Sequence, residues 1–394
     1  PGPTPPFIDP TVQNGQQPTF ILSKTARPGT IQTWTLDVQQ QLPGQTILDI
    51  AYVGDHGDHL QAFMHDPNQG NPVDQVRGAC LEVNIAAQAG NPACAGQTPV
   101  AAPYSGFNGT VAQALRPFPQ YSNAQVDSAT MSDPFGVYTY NALQVSVQKR
   151  YSQGLTLLAN YTWSKNITNA DSEYPLQAAW EGNGTSGALN TYNLKVEKAL
   201  SQFDVTNRVV LSYTYELPFG KGKPFANKGG VTNALVGGWQ IAGVQTYQNG
   251  YPLAVSSPNW DSGIFAGNLC SGCSRPNVVP GQDFNGFHGG SFVYGQSRRL
   301  NPAAFIPAAN FTFGDAPRAL NVREFANLDE DLNFSKRIPM FTEKVSTIFR
   351  MEFFNAFNRH RFTGFNTSAG QPGFGQASTT TAGRSIQANL RVSF

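Results

Sequence analysis

Charged side chains are scarce in this sequence of 394 residues, because Asp, Glu, Lys and Arg together account for only 13% of it. Soluble domains usually carry about 25% charged residues. The hydrophobic fraction is 40% and the mean hydropathy is −0.31, so apolar residues do not replace the missing charge. Neutral polar residues, glycine and aromatic residues make up the difference, which is typical of a β-rich protein with long polar loops.

Long apolar runs and basic runs are also missing. No segment approaches the roughly 18 consecutive apolar residues that mark a transmembrane helix, which excludes a helical membrane span. The lack of such runs does not exclude a membrane β-barrel, because the strands of a barrel carry apolar residues only at alternate positions. The net charge is +1 and no run of Lys or Arg resembles a nucleic-acid-binding tail, so we expect no nucleic-acid partner.

Nine segments alternate apolar and polar residues, which predicts β-strands with one apolar face. The last is the clearest, since Ile386, Ala388, Leu390, Val392 and Phe394 share one face and polar residues fill the other. An apolar strand face has to lie against a protein core or against lipid. The nine segments cover about 30–41, 48–52, 143–147, 155–163, 209–215, 239–247, 328–334, 345–353 and 385–394.

The connections between these segments alternate in length. Those after the first, third, fifth and seventh segments are short or moderate, and those after the second, fourth, sixth and eighth are long. A membrane barrel has tight periplasmic turns and long extracellular loops, whereas a soluble sandwich or propeller has no reason for this parity. We therefore predict an all-β fold, an antiparallel up-and-down transmembrane β-barrel of which this chain supplies about nine strands. The predicted extracellular loops cover about 55–136, 166–202, 255–326 and 359–383.

The start of the chain suggests that more sequence lies upstream. It begins at Pro1 without an initiator methionine or a signal peptide. Nine strands counted back from a periplasmic C-terminus start outside the cell, whereas a complete bacterial barrel has an even number of strands. We expect residues 1–29 to be an irregular lead-in and residues 30–394 to be the C-terminal part of one barrel domain.

Aromatic and charged residues divide between the two faces of the predicted strands. The alternative is that aromatics merely suit strands and that the charges face ordinary solvent, but this leaves the alternating connection lengths unexplained. Aromatic residues near strand ends fit the girdles of a barrel, namely Tyr52, Tyr161, Trp163, Tyr213 and Tyr215. Charges on the opposite face fit a wet lumen, namely Asp37, Asp49, Arg208, Asp329, Asp331, Arg350, Glu352 and Arg391.

The four cysteines form two local pairs, Cys80 with Cys94 and Cys270 with Cys273. Both pairs lie in segments rich in Gly, Pro and Asn, and a disulfide in each suits an exported protein. Free or metal-bound thiols are the alternative, because the Cys270–Cys273 spacing is half of a zinc site. Nothing nearby supplies the other two ligands, so we favour disulfides.

The densest polar cluster is the run 55–59, Asp-His-Gly-Asp-His, followed by His65 and Asp66. His56 and His59 are weak candidates for transition-metal ligands, since imidazole and carboxylate groups bind such metals. The spacing suits an irregular rim loop after the second strand. We therefore predict neither a metal site nor a cofactor.

Catalytic motifs are missing as well. A barrel hydrolase needs a serine–histidine pair with an orienting group, and none of the five histidines follows a nucleophile motif. Lys221, Lys223 and Lys228 lie among glycines, but their spacing does not match a phosphate-binding loop. We expect no enzymatic activity.

Five segments resemble the Oar-like TonB-dependent outer-membrane receptors of bacteria. They are W-T-L-D-V-Q-Q-Q-L-P-G-Q-T-I-L-D-I-A-Y-V-G-D-H-G-D-H-L (34–60), Y-N-A-L-Q-V-S-V-Q-K-R-Y-S-Q-G-L-T-L-L-A-N-Y-T-W-S-K (140–165), Y-E-L-P-F-G-K-G-K-P-F (215–225), R-M-E-F-F-N-A-F-N-R-H-R-F (350–362) and the terminal R-V-S-F. The resemblance implies a bacterial outer-membrane location and a barrel of about 22 strands. It also implies an upstream plug and carboxypeptidase-regulatory-like domain, both absent from this sequence.

The resemblance further implies a set of partners. The final strand, with Leu390, Val392 and Phe394, would be read by the barrel-assembly machinery, and lipid would surround the barrel. The TonB complex would bind through the missing N-terminal part.

The expected function is a receptor that binds and imports a bulky nutrient. Loops on a rigid scaffold usually carry recognition, and the long segments 55–136 and 255–326 are rich in amides and aromatics. Such surfaces suit carbohydrate or peptide ligands, although the same aromatics could instead pack together to cap the barrel. They include Tyr104, Phe107, Phe118, Tyr121, Trp260, Phe284, Phe287 and Tyr294. The alternatives are a structural or adhesive surface protein with a plugged barrel, and a secreted soluble β-protein.

Overall fold

The computed structural model describes residues 27–62, 68–120, 133–171, 188–258, 261–264, 274–339 and 346–393. Within these residues, nine long strands form one antiparallel sheet whose strand order follows the sequence. They are β1 (Thr30–Leu42), β2 (Thr46–Ala62), β3 (Asp133–Ser152), β4 (Leu155–Thr168), β5 (Asn207–Glu216), β6 (Trp239–Gln248), β7 (Asn327–Pro339), β8 (Ser346–Phe354) and β9 (Ser385–Ser393). The short strand Ala199–Leu200 also pairs with β4.

The strand register divides the side chains between two faces that run through the whole sheet. Residues that are directly opposite in an antiparallel pair point to the same side. One continuous row of the apolar face is Val38, Ile50, Val145, Tyr161, Val209, Tyr247 and Leu328. The neighbouring row of the polar face is Asp37, Ala51, Gln144, Thr162, Arg208, Gln248 and Asn327. All eight charged residues predicted to share one face do lie on the polar face.

Aromatic side chains form a belt on the apolar face. The Tyr52 hydroxyl donates to Oδ1 of Asn141 at 2.7 Å, and the Tyr161 hydroxyl donates to Oδ1 of Asn207 at 2.7 Å. Each asparagine shares the apolar face with its tyrosine, so the polar ends are paired with each other. Tyr52 lies in the middle of β2 rather than near its end, because β2 continues further than its sequence pattern predicts.

The connections confirm the predicted alternation in length. β1 and β2 are joined by 43–45, and β3 and β4 by 153–154, whereas the connections after β2, β4, β6 and β8 are long. Both central residues of the second turn have positive φ, 53° at Gln153 and 83° at Gly154. This is the backbone of a type I′ turn, which matches the twist of the strands it joins. We call this end of the sheet the short-turn end and the opposite end the long-loop end.

Several strand boundaries differ from the sequence prediction. β2 runs through the polar cluster 55–59, which was predicted to be a loop, and β3 begins at Asp133. Residues 55–59 have only polar side chains and a glycine, so the alternation disappears there, although β2 stays paired with β3, for instance Gly57 with Tyr138. Another difference concerns 337–339, which follow the predicted segment 328–334. These residues belong to β7, since the Arg337 amide donates to the Gly238 carbonyl at 3.0 Å.

The helices within the described residues are short. Two are α-helices, Val111–Ala114 and Gly230–Val236, and none is long and apolar enough to cross a membrane. The 3-10 segments are Pro72–Glu82, Ile85–Ala87, Pro92–Cys94, Leu194–Glu197 and Pro302–Ala304. Small hairpins pair Asn277–Val278 with Phe305–Ile306 and Phe362–Phe365 with Ala377–Thr380.

Candidate functional site

The four long connections gather at the long-loop end of the sheet, and we call their described residues the cap. Its members are loop A (63–132), loop B (169–206), loop C (249–326) and loop D (355–384). The buried hydrophobic clusters of the described residues lie largely in the cap rather than on the strands. The packing of the cap therefore decides what this end of the molecule can bind.

Loops C and D share an aromatic cluster. The ring of Phe292 lies 4.9 Å from that of Phe325 and 4.9 Å from that of Phe362, measured between centroids. Phe305 packs against Phe374 at 5.7 Å. Buried aliphatic residues surround these rings, namely Leu253, Val255, Leu300, Leu320 and Val322. Phe284 and Phe287, considered above as ligand contacts, pack within this cluster.

Loops A and C are joined by a second core. Cys80 and Cys94 form a disulfide with their Cα atoms 4.8 Å apart, and both are buried beside Ile264 of loop C. The Gly70 amide donates to the Ile264 carbonyl at 2.8 Å. The 3-10 helix Pro72–Glu82 is thereby held against loop C. Cys270 and Cys273 lie outside the described residues.

Replacing both Cys80 and Cys94 with alanine should loosen loop A. The bridge closes a loop with a sequence separation of 14. Cross-links over loops of this size stabilise by about 3 kcal/mol, chiefly by restricting the unfolded segment. The expected result is faster proteolysis of loop A in intact cells, while migration of the folded barrel on gels is unchanged. Equal protease resistance with and without the bridge would contradict it.

Loops B and C are joined by three arginine–carboxylate pairs, which we call the inter-loop arginine pairs. Loop C supplies every arginine and loop B supplies every carboxylate. The pairs are Arg275 with Glu197, Arg318 with Asp171, and Arg323 with Asp204. Five of the six side chains are no more than 4% exposed, and Arg323 is 16% exposed. Charges this deeply buried are tolerated only when they are paired and hydrogen-bonded.

Further donors of Arg318 are used on backbone carbonyls of loop B and the end of β4. Arg318 donates from Nε to the Glu197 carbonyl at 3.0 Å and from Nη2 to the Thr168 carbonyl at 2.9 Å. Burial lowers the pKa of the Arg275 guanidinium, and Glu197 opposes this shift. Guanidinium groups suit such sites because their planar array of donors can bind several acceptors at once. The pairs therefore fix loop B against loop C.

Loop A also meets loop C through two carboxyl groups, Glu82 and Asp261. A hydrogen bond between them raises the pKa of Glu82 above its usual range, and burial adds to the shift. A carboxyl with a raised folded-state pKa stabilises the contact below its unfolded pKa, and the contribution disappears as the pH rises through the raised value. The contact is therefore strongest in acid.

Hydrogen exchange at the Gly70 amide tests this pH dependence. After correction for intrinsic exchange, protection at Gly70 should fall as the pH rises from about 4 to about 7. Glu82→Gln keeps a donor to Asp261 without titrating, so its profile should be flatter. The same slope in both proteins would refute the assignment to Glu82.

A cavity of about 340 Å³ lies where loop B meets β3 and β4. Its lining residues are Leu60, Gly136, Val137, Tyr138, Asn166, Thr168, Ala170, Asp171, Ser201 and Phe203. By register, Tyr138, Asn166 and Thr168 belong to the polar face of the sheet. Oδ1 of Asn166 and Oδ1 of Asp171 are buried without a hydrogen-bond partner. Two unpaired acceptors make this cavity suited to a ligand that donates hydrogen bonds.

The histidines of the polar cluster lie in β2 and not in a rim loop. Nδ1 of His56 is 3.1 Å from Oγ1 of Thr139, and Nδ1 of His59 is 3.1 Å from Oδ2 of Asp58. No group of three or more His, Cys, Asp and Glu within the described ranges is placed to hold a metal ion. His65, Asp66, Tyr121, Trp260 and Phe394 lie outside those ranges. Leu390 and Val392 lie on the apolar face of β9 and are exposed.

Sequence reasoning missed the inter-loop arginine pairs and the cavity. The paired residues are far apart in sequence, 147 positions for Arg318 and Asp171, and isolated charges in polar loops carry no periodic signal. One clue was present. In a chain with few charged residues, loop C carries five arginines between 275 and 323, namely Arg275, Arg298, Arg299, Arg318 and Arg323.

The sheet with one apolar and one polar face, alternating connection lengths and a packed cap defines an outer-membrane β-barrel. The family described as "Outer membrane beta barrel domain" matches residues 1–387, and the chain belongs to this family. It is therefore a protein of the outer membrane. No curated protein matches this chain.

Several solved structures are similar to the chain. The ferripyoverdine receptor of the outer membrane of Pseudomonas aeruginosa is 10% identical, with a TM-score of 0.38 over 93% of this chain and 27% of the receptor. The outer membrane transporter YddB from Escherichia coli is 8% identical, with a TM-score of 0.42 over 97% of this chain and 34% of the transporter. The ferric-catecholate import receptor Fiu from E. coli K12 is 8% identical, with a TM-score of 0.38 over 93% and 28%. The chain thus spans about a third or less of these proteins.

Proposed function

We propose that this chain is part of an Oar-like, TonB-dependent receptor that binds a bulky nutrient and imports it across the outer membrane. The long-loop end faces outside the cell and the short-turn end faces the periplasm. TonB acts through a part of the protein outside this chain. The barrel-assembly machinery reads the final strand with Leu390, Val392 and Phe394. The role is recognition and transport, without catalysis.

The cavity beside loop B carries this proposal. It lies where loop B of the cap meets polar-face residues of β3 and β4. Loop B is held in place by the inter-loop arginine pairs, so the cavity walls are preorganised for binding. Preorganised walls with unpaired acceptors favour a ligand rich in hydroxyl or N–H groups. Carbohydrates and peptides both meet this requirement.

Growth on a defined panel of oligosaccharides and peptides tests the import function. A strain without the full-length protein should lose growth on one class of these nutrients, and a protonophore should abolish uptake in the complemented strain. Asn166→Leu removes one unpaired acceptor and should weaken ligand binding at least about tenfold, since a buried hydrogen bond contributes roughly 1–3 kcal/mol. Asn193→Leu is the control, because this exposed amide makes no side-chain capping bond. Growth independent of the protein on every nutrient would reject import.

A structural or adhesive surface role is the second candidate. It is favoured by the extent of packing within the cap, whose loops are joined by cores, a disulfide and ion pairs. Exposed apolar residues on its surface, such as Val73 and Val76, suit contacts with other surfaces. Loss of cell adhesion or envelope integrity without any loss of uptake would establish this role instead.

A further inference from the structure

The connection between β5 and β6, residues 217–238, is unlike the tight turns at 43–45 and 153–154. It contains the helix Gly230–Val236, none of whose residues is buried. Internal hydrogen bonds fix its shape, since the Lys221 amide donates to Oδ1 of Asn233 at 2.8 Å and the Gly222 amide donates to Oδ1 of Asn227 at 2.8 Å. A connection that is ordered yet leaves its whole helix unburied is built to present a surface.

The helix ends against the apolar face of the sheet. Lys336 and Trp239 are directly opposite each other on that face. Nζ of Lys336 donates to the carbonyls of Leu235 and Gly237, each at 2.9 Å, and Nε1 of Trp239 donates to the Leu235 carbonyl at 2.9 Å. The Lys336 ammonium also lies 4.8 Å from the Trp239 ring centroid. The β5–β6 connection is therefore continuous with the lipid-facing surface, at its short-turn edge.

The exposed side chains of this connection are strongly apolar. Val231 is 76% exposed and Leu235 is 66% exposed, and their spacing of four places them on one side of the helix. Phe225 is 58% exposed, and its ring is 5.9 Å from that of Phe219. Apolar residues presented together in this way lie against lipid or another protein surface.

The charges of the connection have one sign. Residues 217–238 contain three lysines and no Asp or Glu. Lys223 is paired with Glu216 of β5 at 3.0 Å, whereas Lys221 and Lys228 are exposed. An apolar helix face with lysines and an interfacial tryptophan beside it has the composition of segments that lie in the headgroup region of a bilayer.

We propose that the β5–β6 connection is a membrane-surface anchor that binds the anionic phospholipid headgroups of the leaflet at the short-turn end. Val231, Leu235 and Phe225 enter the boundary between headgroups and acyl chains. Lys221 and Lys228 bind the phosphates. The anchor fixes the height of the barrel in the bilayer at this edge, and Lys336 joins the helix to the strand. This role is independent of nutrient import.

Depth-dependent fluorescence quenching tests the anchor in the full-length protein. The protein carries an environment-sensitive fluorescent amino acid at position 235 and is reconstituted in nanodiscs of phosphatidylcholine, with or without an equal amount of phosphatidylglycerol. Lipids with a spin label near the headgroup should quench this probe at least about threefold more than the same probe at position 76. Val76 is the matched control, because it is an exposed apolar residue of the cap at the other end of the sheet.

A second experiment tests the binding of the lysines to headgroups. Phosphatidylglycerol should increase quenching at position 235, and Lys221→Gln combined with Lys228→Gln should remove this increase. Lys198→Gln, an exposed lysine of the cap, should leave it unchanged. Quenching at 235 no greater than at 76 overturns the anchor, as does a photo-crosslink from 235 that reaches only protein. Quenching that is insensitive to phosphatidylglycerol and to both lysines overturns the headgroup assignment.

Discussion

Arg318→Ala should release loop B from loop C at a cost of about 3–5 kcal/mol in the stability of the cap. The substitution leaves Asp171 buried without its cation, and that side chain is only 4% exposed. It also removes the donors to the carbonyls of Glu197 and Thr168. The cost is large because an uncompensated buried charge keeps its full desolvation penalty.

Amide exchange in loop B measures this effect. The Leu189 amide donates to Oε1 of Glu197 at 2.8 Å, so its protection reports whether loop B stays in place. Arg318→Lys keeps the charge but loses the planar array of donors and should give an intermediate loss. Arg77→Ala is the control, since its contact with Asp74 is long, at 3.7 Å, and both side chains are partly exposed to solvent. Such pairs contribute at most about 1 kcal/mol. Unchanged protection in Arg318→Ala would contradict the proposed joining of the loops.

Leu211→Arg should destabilise the barrel by about 2–4 kcal/mol, because it places a charge on the apolar face, which we expect to meet lipid, near the middle of β5. Leu211 shares that face with Ala159 and Gln245 on the neighbouring strands. The arginine can reach water only by extending past the apolar belt or by drawing water into the bilayer. The expected result is a lower folded fraction on gels without heating, and unfolding in lipid vesicles at a lower guanidinium concentration.

Ser212→Arg is the matched control for this prediction. It is the next residue of the same strand and lies on the polar face, opposite Leu158 and Val244. The same charge should there cost little, since that face borders a polar lumen. The reverse result, with Ser212→Arg destabilising and Leu211→Arg tolerated, would show that the two faces have been assigned the wrong way round.

The strands were predictable because their signal is local. Alternation at Leu143, Val145 and Val147 depends on side chains two positions apart, and it requires no knowledge of the partner strand. The prediction of a loop at the polar cluster 55–59 was wrong for the same reason. Beyond the apolar belt both faces of β2 meet polar surroundings, so the pairing with β3 leaves no pattern in composition. His56 and His59 therefore looked like loop residues although they lie in a strand.

The cap was not predictable, because its contacts join residues far apart in sequence. A composition of amides, glycines and aromatics fits a ligand-binding loop as well as a packed one. The structure shows Phe284 and Phe287 within an aromatic cluster, which favours packing at those positions. The unpaired acceptors that line the cavity belong instead to Asn166 and Asp171, residues to which sequence reasoning assigned no role.

The sequence by itself determined the nine strands, their two faces and the alternation of short and long connections. These follow from a repeat of two residues and from the chemistry of turns, both of which act over a few positions. Only the tertiary structure decided which arginine pairs with which carboxylate, where the cavity lies and how the helix of the β5–β6 connection meets the apolar face. Those contacts depend on desolvation and geometry between distant segments, and they take shape only when the sheet brings the segments together.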